Sequence, residues 1–301
     1  MKKIQTDLPG LILVNKPKDI TSNQVLSLIK RKMQYRKIGH TGTLDPLATG
    51  LLPVLIGKAT KLSSYLLNYD KSYSSTFKLG LDTDTGDITG NILSRRLVPI
   101  LKKQDFEKVF KNFLGEIKQM PPFFSAIKYK GNPLYKLARK GLEMPSQILA
   151  RTVKIYRMDF LDYSSISNEL KVIVNCSKGT YIRSISKDLG EILGCGSCVL
   201  SINRLSAGPL QQKDAHNLDI IDKSTSTSVK FFLSPEYPFL KFPLLNLSKI
   251  DYQYISEKAK YPKSLVISDG IKRLYCEKRF SGIAFFKEGL LKKRIVFENQ
   301  I

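Results

Sequence analysis

Apolar positions along this 301-residue chain fall into two rhythms, and their alternation sketches the elements. Leu11-Ile-Leu-Val14 is a continuous apolar run that breaks at Asn15-Lys16-Pro17, which reads as a strand entering a loop. Thr21 and Gln24 have the spacing of a capping box, and Val25, Ile29 and Met33 follow on one helical face. A short strand to Ile38, an apolar strand Leu51–Ile56 and a helix carrying Ala59, Leu62 and Leu66 come next. Tyr73 to Leu79 alternates as a strand does. Phe106, Val109, Phe110 and Phe113 mark an amphipathic helix stopped by Gly115. Strands recur around 150–160 and 169–176, then Ile182, Ile185, Leu189 and Ile192 share a helix face, and Val199–Leu205 is again strand-like.

Two segments break the rhythm. Residues 121–148 have prolines at both ends and interleave basic with aromatic side chains. Residues 223–240 combine a Ser/Thr run with two prolines and form the best domain boundary in the chain. Beyond them the pattern is short and β-like. The fold class this predicts is α+β, with a body over 1–240 and a small β-rich appendix over 241–301.

Charge changes the picture more than composition does. Lysine and arginine number 49 against 26 acids, a formal net charge of +23. Such an excess favours a polyanionic partner through counterion release, although most of it is lysine, which an A/T-rich genome also produces. No run of eighteen apolar residues is present to span a bilayer, and MKKIQTDLPG has no apolar signal core behind it. The expectation is a soluble, cytoplasmic protein. Of the four cysteines, Cys195 and Cys198 have CxxC spacing, but no second Cys or His pair stands near to complete a zinc site. Reduced, structural thiols are expected.

Candidate chemistry narrows by exclusion. Gly50 and Gly57-Lys58 are too far apart for a phosphate-binding loop, and Ala59 stands where Ser or Thr is needed. Asp82-Thr-Asp84-Thr-Gly86-Asp87 starts like a calcium loop, but its glycine is one place early and its twelfth position is Leu93, so an Asp/Gly turn is expected instead. Neither GxSxG nor HExxH occurs. What stands out is TGTLDPLATG, a glycine-punctuated loop with one carboxylate, Asp45, ahead of a proline that drives it out of the α region. From the local sequence a reactive carboxylate acting alone and a plain Asp-Pro turn are equally good accounts.

GHTGTLDPLATGLL, from Gly39 to Leu52, resembles the signature of the tRNA pseudouridine synthases that modify uridine 55 of the T loop. Asn15-Lys16-Pro17 with Thr21-Ser22-Asn23, Lys71-Ser-Tyr73 with LGLDTDTGDITG, PPFFSAIKYKGNPLYKLARKG and CSKGTYIRSISKDLGEILGCG resemble that family's further motifs in order. The resemblance runs from about residue 10 to 212. It implies a mixed-sheet catalytic domain followed, in bacterial members, by a PUA-like RNA-binding domain, here matched weakly over 241–301. It implies Asp45 as the nucleophile, Arg183 as its cationic partner, and Tyr73 as the active-site tyrosine under a flipped base. It further implies Tyr181, Ile202, His40 and Lys16 as substrate-binding residues, His40 filling the space left by the extruded nucleotide. By the same resemblance the 121–148 insertion closes over the T loop of tRNA, and neither cofactor nor metal is required. A monomer without an obligate protein partner is expected. The alternative is a tRNA-binding or tRNA-folding module with secondary or no catalysis.

Overall fold

The computed structural model describes residues 9–223, 231–258 and 267–297. Its body is a mixed sheet with the spatial order His216–Asn217, Gly10–Lys16, Thr49–Ile56, Ser197–Ala207, Lys71–Leu79, Glu169–Cys176, Arg151–Ser164 and Gly115–Gln119. Most neighbours run antiparallel, but Thr49–Ile56 and Ser197–Ala207 are parallel, meeting at Asn203 opposite Thr49 and Arg204 opposite Gly50. Continuing along that row, Arg204 lies opposite Tyr73 and Tyr73 opposite Val174.

Both faces of the sheet are covered, which is why its first strands are apolar without a break. Ile12 and Val14 face one core with Val25, Ile29, Phe106, Ile185 and Leu189 of the helices Ser22–Met33, Lys103–Phe110 and Ile182–Ile192. Leu11 and Leu13 face the other core with Leu51, Leu55, Leu62 and Leu66. The capping box forms, Gln24 N–H donating to Thr21 Oγ1 at 3.1 Å and Thr21 N–H to Gln24 Oε1 at 2.7 Å.

Several expectations need correction. The first strand runs on through Asn15 and Lys16, because Lys16 is held inside by carbonyls and keeps the register to Gly50. Ala59, Leu62 and Leu66 are all buried, but on a 3₁₀ segment Gly57–Leu62 followed by one α-turn Ser63–Leu66. Ile192 is half exposed; only Ile182, Ile185 and Leu189 of its expected row are buried. Beyond residue 240 the chain is not purely β: strands Leu244–Leu247, Gly270–Cys276, Arg279–Lys287 and Leu290–Val296 form a second sheet, packed with an α-helix Lys249–Lys258 through Tyr252, Ile255, Leu274 and Phe286. Of the 223–240 boundary segment, residues 224–230 lie outside the described residues. The remainder folds back on the body: Leu233 bridges to Leu11, and the Tyr69 hydroxyl donates to Pro238 O at 2.8 Å. Ile283 and Ile295 of the second sheet, with Phe297 just after it, pack into the core behind Leu51 and Leu55, so the second sheet backs the strand that leaves the Asp45 loop.

Candidate active site

The TGTLDPLATG loop connects the short strand Ile38–His40 to Thr49–Ile56, and buried anchors hold it at each end. Leu44, Leu47 and Ala48 are buried on either side of Asp45. Ser22 brackets Leu44, accepting its N–H at 2.9 Å and donating to its carbonyl at 3.0 Å. Pro46 O accepts from Asp19 N–H at 2.8 Å and from the Lys16 ammonium at 3.2 Å. Ala48 N–H closes a turn onto Asp45 O at 3.0 Å. Gly50, at φ +96°, has no room for a side chain: a Cβ there would stand 2.5 Å from Arg204 O. The Asp-Pro turn and the presented carboxylate are therefore one object, a rigid loop that leaves Asp45 partly exposed while Leu44, Leu47 and Ala48 are buried.

Arg183, in the first turn of Ile182–Ile192, is almost fully buried, and its Nε lies 2.9 Å from Asp45 Oδ2. Its other nitrogens donate to Thr85 O at 2.8 Å and Phe124 O at 2.9 Å. One guanidinium thus ties together the Asp45 loop, the LDTDTGD turn and the start of the 121–148 segment. Each of its three nitrogens has a partner, so the group is pre-oriented rather than free to swing. The LDTDTGD stretch is a turn, as expected. Asp87 Oδ1 accepts from Thr85 Oγ1, Thr89 N–H and Thr89 Oγ1, and Val199 N–H donates to Gly86 O. Among the described residues no group of His, Cys, Asp and Glu is arranged to hold a metal ion. All four cysteines are buried thiols outside any disulfide, burial pushing the Cys198 thiol up to about 11.

Asp45 and Arg183 stand at a cavity of about 260 Å³ whose wall includes Tyr73, Tyr181, Ile202 and Lys71. That is below the ~300 Å³ at which drug-sized pockets begin, and it has room for a flat ring. Burial raises the Tyr73 and Tyr181 phenols above their ordinary value, so both are neutral at pH 7. Tyr181 is set by Gln119, which is buried at the end of Gly115–Gln119. Gln119 accepts the Tyr181 N–H at 2.7 Å and donates to its carbonyl at 3.0 Å. A second cavity of about 330 Å³ adjoins the first at Asp45 and Arg183, and its wall includes His40, Asn23, Phe124, Tyr135 and Arg139. His40 is lowered from its ordinary value by burial, with Arg204 acting the same way, and its Nδ1 accepts from Gly42 N–H.

The structure brings Asp45, Tyr73, Tyr181, Arg183 and Ile202 to one cavity and His40 to the next. Lys16 lies on neither. Its ammonium, buried beneath the loop, donates to Pro17 O, Ile20 O and Pro46 O, and burial lowers it to about 8. That is a support for the loop and leaves no donor for a ligand.

Two further cavity residues were assigned no role from the sequence. Lys71, lowered to about 8 by burial, donates to Leu67 O and Tyr69 O. Arg204, fully buried in Ser197–Ala207, donates to Leu51 O at 2.7 Å and Gly42 O at 3.1 Å. A basic residue two places after the apolar Ile202, on the same side of a strand, is the one sequence signal that marks Arg204. The 121–148 segment contains the hairpin Lys128–Tyr129 with Asn132–Pro133 and the helical turn Leu134–Ala138, pinned by the fully buried Leu134, while Lys128, Lys130, Lys136, Arg139 and Lys140 are exposed.

Comparison with known proteins places this geometry among relatives. Residues 30–182 match the family model described as TruB family pseudouridylate synthase, N terminal domain. The tRNA pseudouridine synthase B of Francisella tularensis subsp. tularensis, strain WY96-3418, is 39% identical over 303 residues, covering 100% of this chain and 99% of that one. Its counterpart in Francisella philomiragia subsp. philomiragia is 38% identical with the same coverage. Among solved structures, a Cbf5-Nop10-Gar1 complex aligns at TM-score 0.70 and 23% identity, covering 95% of this chain and 82% of that one. An H/ACA RNP bound to a substrate RNA containing 2'-deoxyuridine aligns at TM-score 0.68 and 22% identity, with the same coverage. At such identities these structures bear on the fold, which they share across both sheets.

Proposed function

The chain belongs to the TruB family of pseudouridylate synthases and is an isomerase of that class, and from that premise we propose that it converts uridine 55 in the T loop of tRNA to pseudouridine with Asp45 as nucleophile. The observation that carries the reading is the Asp45–Arg183 pair lining a cavity with room for a flat ring. The curated relatives named for tRNA support the substrate.

In this reading the uridine leaves its stack and its base enters the cavity between Tyr73, Tyr181 and Ile202. Stacking on an aromatic face offsets part of the cost of extrusion. The Asp45 carboxylate, fixed by Arg183 and half exposed to the cavity, attacks the nucleotide while the glycosidic bond breaks. The base turns and rejoins the sugar through C5, Asp45 is released as a free carboxylate, and C5 loses a proton while N1 gains one. Base and sugar are both conserved, so the isomerisation balances without a redox or group-transfer partner. His40, in the adjoining cavity, occupies the place the nucleotide vacates; its neutral ring suits packing against bases more than a phosphate contact. The 121–148 segment, with its exposed lysines and arginine, contacts the T loop, and residues 241–301 act as a PUA-like RNA-binding domain behind the 1–240 catalytic domain. The protein works as a cytoplasmic monomer; no described helix is long and apolar enough to cross a membrane.

The test is tritium release from a T-arm stem-loop labelled at C5 of its uridines, with wild type beside Asp45→Asn. Release by wild type alone supports the reading. Release by both removes Asp45 as nucleophile, and RNA binding without release by either would make the chain a tRNA-binding or folding module.

A further inference from the structure

Arg204 is the largest of the fully buried side chains, and among the described residues no carboxylate stands within salt-bridge distance of it. A buried cation without an anion is costly unless oxygen acceptors surround it closely. Here they do, and they belong to the reaction site. Gly42 O lies ahead of Asp45 in the loop and Leu51 O lies after it, so the guanidinium spans the loop's two ends. On the other side, Arg204 is the cross-strand neighbour of Tyr73, both side chains line one cavity, and the guanidinium is close enough to act on the phenol by charge and hydrogen bonding, against the larger effect of burial. The contact is tight enough to restrict the loop: a Cβ at Gly42 would stand 3.3 Å from an Arg204 nitrogen, and one at Gly50 would collide with the Arg204 backbone.

A guanidinium can only donate. A hydrogen bond between the two can therefore run only from Arg204 to the Tyr73 oxygen, which leaves the phenol's single proton for the cavity that both residues line.

We propose that Arg204 is a positioning residue for the isomerisation, orienting the Tyr73 hydroxyl toward the base and holding both ends of the Asp45 loop. This rests on the reading that Asp45 and Tyr73 face the reacting nucleotide. It assigns Arg204 no contact with the reacting atoms; it acts through its two partners. Replacing it by lysine keeps the charge but loses the fork, which cannot then reach Gly42 O, Leu51 O and Tyr73 together.

The experiment is a double-mutant cycle of single-turnover tritium release from a tRNA transcript labelled at C5 of uridine, with Arg204→Lys and Tyr73→Phe alone and combined. Arg204→Lys is expected to slow release about tenfold or more with RNA affinity held within about threefold, and to slow the Tyr73→Phe enzyme far less. Equal losses in both backgrounds, or no loss in either, would overturn the proposal. A second measurement needs no turnover and so separates this proposal from the functional reading: 3-fluorotyrosine at position 73, titrated by fluorine NMR in the wild-type and Arg204→Gln backgrounds. Losing the cation is expected to raise the titration midpoint by about one pH unit. An unmoved midpoint in a folded variant would sink the idea that Arg204 governs the Tyr73 hydroxyl.

Discussion

Lys16 illustrates how a single side chain can serve the site without touching a ligand. Its ammonium replaces its water shell with the carbonyls of Pro17, Ile20 and Pro46, and burial lowers it to about 8 from 10.5. Between those two values the unfolded chain holds a proton that the folded chain has lost, so this residue makes stability rise with pH there; its contribution is lost as pH falls through 8. Lys16→Met is therefore expected to flatten the dependence of the urea midpoint on pH between about 8 and 10.5. At pH 7 it should also lower stability by about 1–3 kcal/mol, through three carbonyls left without a donor. Urea melts of the two proteins across that window check both. The lysine's place in an NKP motif was legible in the sequence, but its partners were not. They are backbone oxygens of residues as far away as Pro46, and sequence pattern carries no information on where a carbonyl points.

Among the elements, the helix Ile182–Ile192 decides whether Arg183 reaches Asp45. Gly190 lets it approach the sheet: a Cβ there would stand 2.2 Å from Ser197 N and 2.6 Å from Ser197 Cβ. Gly190→Ala must push the helix off the strand that follows. The expected cost is about 1–3 kcal/mol of stability, with a loss of tritium release greater than the loss of RNA affinity, measured by urea melting and the release assay side by side. The periodicity of this helix was readable because Ile182, Ile185 and Leu189 all meet one core. The helix Lys249–Lys258 was not, because only Tyr252 and Ile255 of its described residues are buried, too few to stand out from a β-like background. Gly57–Leu66 fell between: its apolar spacing showed helical turns, while the choice of 3₁₀ geometry for most of it came from packing under the sheet.

At the scale of the molecule the positive charge has a direction. Lys128, Lys130 and Lys136 are exposed on a segment whose first residues hold Arg183, beside the cavity that takes in Asp45. If they meet tRNA phosphates, replacing all three by alanine should reduce the slope of log affinity against log salt by about two. A salt titration of binding to a tRNA transcript measures it, and an unchanged slope would place the RNA elsewhere. The loop, the order of its companion motifs, the α+β class and the likeness to pseudouridine synthases were determined by sequence alone, because local backbone preference, apolar period and motif order are all written within short windows. The tertiary structure decided what those windows cannot hold. It brought Arg183 to Asp45 across 138 positions of chain, placed Arg204 between Gly50 and Tyr73 in one row of the sheet, and withdrew Lys16 from the cavity into a bed of carbonyls. Each depends on strand register and on burial, and these exist only once distant segments share one core.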